Sequence, residues 1–563
     1  MVSVRALGAG AAVALFLSAP LAQGQTAGER AVEGERVRAE QERERLRRSL
    51  EDGDIGVELA PAAPTGPGET DAVCFPIDAI EVSGVAALPP AVIDAIAAPY
   101  AQSCLGETAI GALLAAIDGA YRERGFITSR AYVPPQDLRR RALSIEIVEG
   151  FIEEVTLTVD GEARDDVWSR LRVRAGAPFA EGEILNLRDI EQGLDQFSAP
   201  KSATASVDLQ PGETTGGTVV ALKLAEEDRF RGFVTLESEE PEELGLTRAR
   251  LGLEADNLLQ LNESYQLFLS STGDATSAGG GVELPWGSWS FAASGSYSDE
   301  VVRLTPVSDL VTLTAQGGVE ARYLLYRDAR NKTSITGALR HRQSERFINT
   351  AELTPQKLTT LRGGLSHEHR GDGYVVFADI GLSSGVPLFG GDRDPEGLED
   401  VAPRAEFQKL DASLTGVLRL GDHFQLYASA FGQKSNVEVL RSEEQLSIGG
   451  WSSVRGFDGF GFTGDEGAFI RNEISAGALS VLFEAPDEAW WLDALQPFIF
   501  ADAGYARSGA LERGETLVGF GGGVRIDADP FEVSATVAYG ASDGTAERDS
   551  PVQALVALTW QVF

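Results

Sequence analysis

The sequence predicts an α+β periplasmic region followed by an all-β transmembrane barrel of about 16 antiparallel strands. Three observations predict it. The chain opens with a secretory signal, it holds no later apolar run long enough for a membrane helix, and its last three-fifths alternate apolar and polar residues. Arg5 precedes an apolar run from Ala6 to Ala19, then Pro20 and small residues. These are the n-region, h-region and cleavage site of an export signal over residues 1–24. Ala22-Gln23-Gly24 offers the small-x-small site, with cleavage after Ala22 as the alternative. The run is shorter than the roughly 20 residues a spanning helix needs. An exported chain without a spanning helix is either soluble or an outer-membrane barrel.

Composition removes several functions. Acids outnumber bases 85 to 48, a net charge of −37, which excludes nucleic-acid binding through bulk electrostatics. Two cysteines and four histidines are too few for zinc clusters, iron–sulfur centres or multi-haem sites, so no cofactor or metal is expected. Glycine, at 63 residues, is in excess and suits turns and closely packed strands.

Residues 25–53 carry alternating acids and arginines, with Glu40, Arg43, Glu44 and Arg47 at helical pair spacing. A helix polar nearly all round cannot join a normal core, so it stands in water, either exposed or inside a water-filled space. Residues 54–72 are acidic and rich in Ala, Pro and Gly, as in a flexible linker.

Two small α/β units follow, over residues 73–150 and 151–228. In the first, Ile77 to Val82 alternates as an edge strand, and Pro90 to Ile96 and Thr108 to Arg124 have helical spacing. Phe126 to Val133 and Leu143 to Val148 are β-rich. Cys74 and Cys104 flank its first portion, and an oxidising periplasm makes a disulfide the default reading. In the second unit, Arg188 to Leu194 reads as a helix and Val207 to Gly212 as a strand with its turn.

From residue 229 to 563 the period is two. Trp289, Phe291, Ala293, Gly295 and Tyr297 alternate with serines and Ala292, and Leu410, Ala412, Leu414, Gly416 and Leu418 alternate with Asp411, Ser413, Thr415, Val417 and Arg419. One apolar and one polar face on segments of ~10 residues is the pattern of an outer-membrane barrel. The last strand is expected to run from Val552 to Phe563, although Val556, Leu558, Trp560 and Val562 are out of phase with the terminal aromatic. Gly381-Leu382-Ser383-Ser384-Gly385 matches a nucleophile elbow, but no helix follows it, so it reads as strand and turn. Gly459 to Gly464 matches a dinucleotide fingerprint without a βαβ unit around it. His367 and His369 share a strand face, with no third metal ligand apparent.

Several segments together resemble one family. Gly125 to Leu138 (GFITSRAYVPPQDL) with Ile145 to Val155 resembles the first POTRA domain of two-partner secretion outer-membrane transporters. These are the TpsB proteins, the ShlB/FhaC/HecB haemolysin secretion/activation family within the BamA-like superfamily. Residues 151–228 resemble the second POTRA domain, with Asp195-Gln196 standing where the family has a Leu-Asn pair. Val454-Arg455-Gly456-Phe457 resembles the family's conserved loop, and Phe500, Asp502 and Gly504 its Phe-x-Asp-x-Gly wall motif. The resemblance implies that the loop folds back into the barrel lumen and that Arg455 meets the inner wall near Asp502. Strand parity agrees, because a lipid-facing carboxylate is costly and Asp502 shares a face with Phe500 and Gly504. Gly456 and Gly504 would permit close backbone approach. The resemblance further implies transport rather than catalysis, with the helix of residues 25–53 as a plug. The implied partners are a large exoprotein with an N-terminal secretion domain, outer-membrane lipid and lipopolysaccharide, and the barrel assembly machinery during biogenesis. An insertase for other barrels is the alternative function.

Overall fold

The computed structural model describes residues 73–238, 247–305, 307–457, 461–477, 494–544 and 552–563. The expected signal, charged helix and linker lie outside the described residues, as do Gly459 and Phe460 of the glycine-rich match.

The first unit runs β1 (Phe75–Ile77), β2 (Ala79–Ser83), α1 (Pro90–Ala97), β3 (Ser103–Leu105), α2 (Glu107–Glu123), β4 (Arg130–Tyr132) and β5 (Ala142–Val148). Its main sheet has the order β2-β5-β4, and β1 pairs separately with β3. Ala109, Leu113, Ile117 and Ala120 recur at helical spacing, so α2 buries one stripe against Leu143, Ile145 and Ile147 of the central strand. Two expectations need correction. The edge strand is broken at Asp78, whose backbone N–H donates to the Arg141 carbonyl. The β-rich stretch at Phe126 shortens to Arg130–Tyr132 because Ile127 packs into the second unit's core.

Cys74 and Cys104 are joined, beside the β1–β3 pairing, across a separation of 30 residues. Replacing both with serine is expected to lower the first unit's stability by about 3–4 kcal/mol in the chain-entropy picture. Limited proteolysis under oxidising conditions checks this: faster cleavage confined to the first unit is the expected result.

The second unit runs β6 (Phe151–Val159), β7 (Glu162–Arg164), α3 (Val167–Gly176), α4 (Leu187–Phe197), β8 (Ala203–Pro211) and β9 (Gly217–Glu226). Its sheet order is β7-β6-β9-β8, with β6 and β9 parallel. Asp166 caps α3 by accepting from the backbone of Trp168 and Ser169, and Asn186 caps α4 by accepting from Arg188. Asn186 also donates to the Arg124 carbonyl, and the Leu187 N–H to the Gly125 carbonyl. Gly125 has φ +93°, and a β-carbon there would lie 2.2 Å from Asn186. The glycine of the GFITSR motif is thus the joint between the two units.

The remaining strands form a closed antiparallel barrel of 16 strands, with the two-residue pair Ala351–Glu352 in a hairpin beside them. Leu410, Leu414 and Leu418 are exposed on the outer wall, as are Trp289, Phe291 and Tyr297, whereas Thr415 and Val417 are buried inside. Gly381 to Gly385 lies within the strand Tyr374–Gly385, as its sequence context requires. The first strand (Phe230–Glu237) closes on the last (Val552–Gln561). That last strand stops two residues early. Val562 and Phe563 instead cross to Gly232, whose N–H donates to the Phe563 carbonyl and whose carbonyl accepts from Val562. The terminal ring covers Gly232, where a β-carbon would meet it at 2.7 Å, so strand parity no longer governs Phe563.

Candidate functional site

Between the strands Phe424–Ser435 and Glu466–Ala476 the chain turns back into the barrel. Leu446–Ile448 pairs with Phe462–Gly464 in a short antiparallel hairpin. Its apolar side, Leu446, Ile448 and Phe462, joins Val454 and Phe457 against Ala506 and Leu517 of the inner wall. Phe457 is among the largest side chains that are fully buried. Asp465 pins the base of this loop, accepting from the N–H groups of Leu440 (2.7 Å) and Gly509 (2.8 Å) and from Gln445 (2.9 Å).

Arg455 sits at the centre. Its Nε and Nη2 donate to the two oxygens of Asp502 at 2.7 and 2.9 Å, a bidentate pair. Nη1 donates to Glu473 at 2.8 Å, and the Arg455 backbone N–H donates to Asp502 at 3.2 Å. The guanidinium also lies 3.6 Å from the centre of the Phe500 ring. The other Glu473 oxygen accepts from Arg525 at 2.8 Å, and Arg525 in turn covers the Phe498 ring at 4.1 Å. Arg471 donates to the Ser452 carbonyl at 3.2 Å. The side chains of Arg455, Asp502 and Glu473 are 5, 0 and 2% exposed, so the network is dry.

The register explains the assembly. Arg471 faces Asp502, Glu473 faces Phe500, and Phe500 faces Gly521 across neighbouring strands. Ile470 and Ile474 point to lipid, which places Glu473 in the lumen. Glycine lets the loop lie flat on that wall. Gly456 has φ +102°, and a β-carbon there would stand 2.6 Å from the Gly540 backbone. Gly504 leaves room for Val454, and a β-carbon on Gly519 would overlap the Arg455 carbonyl at 1.8 Å.

All seven motif residues, Val454 to Phe457 with Phe500, Asp502 and Gly504, therefore meet at one place. Sequence reasoning gave no role to Glu473, Arg525, Gly519 or Gly540. Lumen parity was the available signal for each. The histidine pair forms no centre: His367 bonds Thr333, whereas His369 bonds Asn331 and Tyr374. Among the described residues no cluster of His, Cys, Asp or Glu could hold a metal ion.

The second unit is clamped to one rim of the barrel. Asp195 on α4 accepts from Arg327 (2.6 Å) and Lys332 (2.9 Å), which flank one barrel turn. Gln196 donates to the carbonyl oxygens of Gly287, within the next turn along, and of Trp289, just after it. The pair that departs from the family pattern is thus at this junction.

The model of the haemolysin secretion/activation protein family ShlB/FhaC/HecB matches residues 216–526. A ShlB-type POTRA domain matches residues 75–150, and a second POTRA domain residues 151–211. The chain belongs to this family. An outer membrane transporter CdiB of Escherichia coli O6:K15:H31 is 30% identical over 480 residues, covering 83% of this chain and 80% of the relative. The hemolysin transporter protein ShlB of Serratia marcescens is 28% identical over 427 residues, 74% of each chain. The solved structure of CdiB from Escherichia coli superposes with a TM-score of 0.83 at 25% identity, covering 95% of this chain and 98% of that one. The protein is an outer-membrane transporter of two-partner secretion, and its POTRA domains lie in the periplasm.

Proposed function

We propose that the transporter passes one large exoprotein, unfolded, through its barrel past the Arg455 loop. The observation that carries this reading is the loop itself. A hairpin held against the inner wall by a dry Arg455–Asp502–Glu473 network can act as a fixed constriction inside the conduit. The POTRA pair would receive the cargo through its N-terminal secretion domain. Outer-membrane lipid, lipopolysaccharide and the barrel assembly machinery complete the set of partners. The barrel acts as a conduit and not as an enzyme, and folding of the cargo outside supplies the drive. Val454, Gly456 and Phe457 seat the loop, while Phe500 and Gly504 shape its wall.

The test is co-expression with the large exoprotein encoded beside this chain. Export of that one protein into the medium is the expected result. Intact export combined with loss of many other membrane barrels on deletion would indicate an insertase instead.

Residues 1–24 are proposed as the export signal, 25–53 as a plug helix and 54–72 as its tether. Deleting residues 25–53 is expected to raise single-channel conductance in planar bilayers; unchanged conductance would contradict the plug.

A further inference from the structure

One extracellular segment lies on the lipid side of the barrel. In the strand Gln356–Gly371, Leu361 and Leu365 are exposed to lipid, and Thr359 and Lys357 continue the same face toward the outside. A position on that face should be open, yet Thr359 is 0% exposed. The segment from Val386 to Asp392 covers it. The Val386 N–H donates to the Thr359 carbonyl at 2.9 Å, and the Thr359 hydroxyl donates to the Leu388 carbonyl at 2.7 Å. Asp392 completes the strap by exchanging backbone and side-chain hydrogen bonds with Lys357, at 2.9 and 3.1 Å.

The exposed part of this strap is apolar. Leu388 is 46% and Phe389 71% exposed, and Phe389 is held at φ +51°, a conformation bulky side chains rarely adopt. His341, the cross-strand partner of Thr359, lies 2.8 Å from its hydroxyl on the same outer face. Below this group the outer wall continues with Leu361 and Leu382, both exposed. An apolar tip therefore stands beside a lysine and a histidine at the upper edge of the apolar band. A ligand with acyl chains below and phosphate above matches that order.

We propose that Lys357, His341, Leu388 and Phe389 form a binding site for a phosphorylated outer-leaflet glycolipid, the lipid A part of lipopolysaccharide. Lys357 faces the phosphate, the His341 ring is held by Thr359 at the edge of the site, and Leu388 and Phe389 pack on the acyl chains. The site rests on the outer-membrane location and deepens the lipid partnership proposed above.

Native mass spectrometry of the full chain in detergent tests it, with diphosphoryl hexa-acyl lipid A as the probe and phosphatidylglycerol as the competitor. Wild type should retain one lipid A in preference to phosphatidylglycerol. Lys357→Glu and Phe389→Asp should each weaken retention about tenfold, and Lys357→Arg should restore it. Heat-modifiable migration on gels confirms that each variant barrel is folded. Equal retention by wild type and both variants would overturn the site, and so would equal retention of phosphatidylglycerol. A wild type that exports its cargo but holds no lipid A would overturn the site and leave the transport reading standing.

Discussion

Arg455→Ala is expected to cut export of the exoprotein at least tenfold while the barrel still inserts in the membrane. The loss is electrostatic. The guanidinium carries a permanent charge and supplies three side-chain hydrogen bonds to two carboxylates that are almost wholly buried. Removing it leaves Asp502 without its ion-pair partner and Glu473 with only Arg525 of its two arginine partners here. Breaking a buried pair from one side costs about 3–5 kcal/mol. The barrel's strand ladders do not depend on that network, so the loss falls on the loop's seat. Lysine cannot reproduce the fork, because an ammonium is a single point of donation. Arg455→Lys should therefore export at an intermediate level. Arg455→Ala combined with Asp502→Ala should regain heat stability relative to Arg455→Ala alone, yet stay defective in export. Export at wild-type level by Arg455→Ala would show that the loop's position is immaterial.

Asp195→Lys should release α4 from the barrel rim, seen as faster amide exchange in α4 and in the turn between Arg327 and Lys332. Asp195 stands between two cations, and each charge-assisted hydrogen bond lost costs about 1.5–3 kcal/mol. A third cation adds repulsion to that loss. Burial alone would push the Asp195 carboxyl up, but Lys332 and Arg327 outweigh it and hold it well below the usual carboxylate range. The sign follows. A carboxylate lowered in the folded state contributes stability that is present above its unfolded pKa and fades as pH falls through the lowered value. The clamp should thus survive mild acid, with protection of α4 unchanged between pH 7 and about pH 5 after correction for intrinsic exchange. Protection already lost at about pH 5 would place the stabilising contact elsewhere.

Strand parity made much of this molecule legible in its sequence. Period-two runs such as Trp289 to Tyr297 require only local alternation, and the faces they imply are the faces observed. Asp502 was readable for the same reason: a carboxylate between two alanines has only one face on which it can stay wet or paired. Glu473 and Arg525 were not assigned, since their meeting depends on which strands are neighbours and in what register. The strand Ser103–Leu105 is three residues long and too short to alternate; tertiary pairing with β1 makes it a strand. Asp195-Gln196 departs from the family pattern, and only the barrel turns facing that helix show what the two residues hold.

The central claim is that the cargo travels inside the barrel. Photocrosslinking of a stalled exoprotein tests it most directly, using a photoreactive residue at a single barrel position. Ser294 faces the lumen, and Tyr297, three residues along the same strand, faces lipid. The account predicts cargo adducts from position 294 and from position 457 in the loop, and none from position 297. Adducts from position 297 with none from 294 would contradict it.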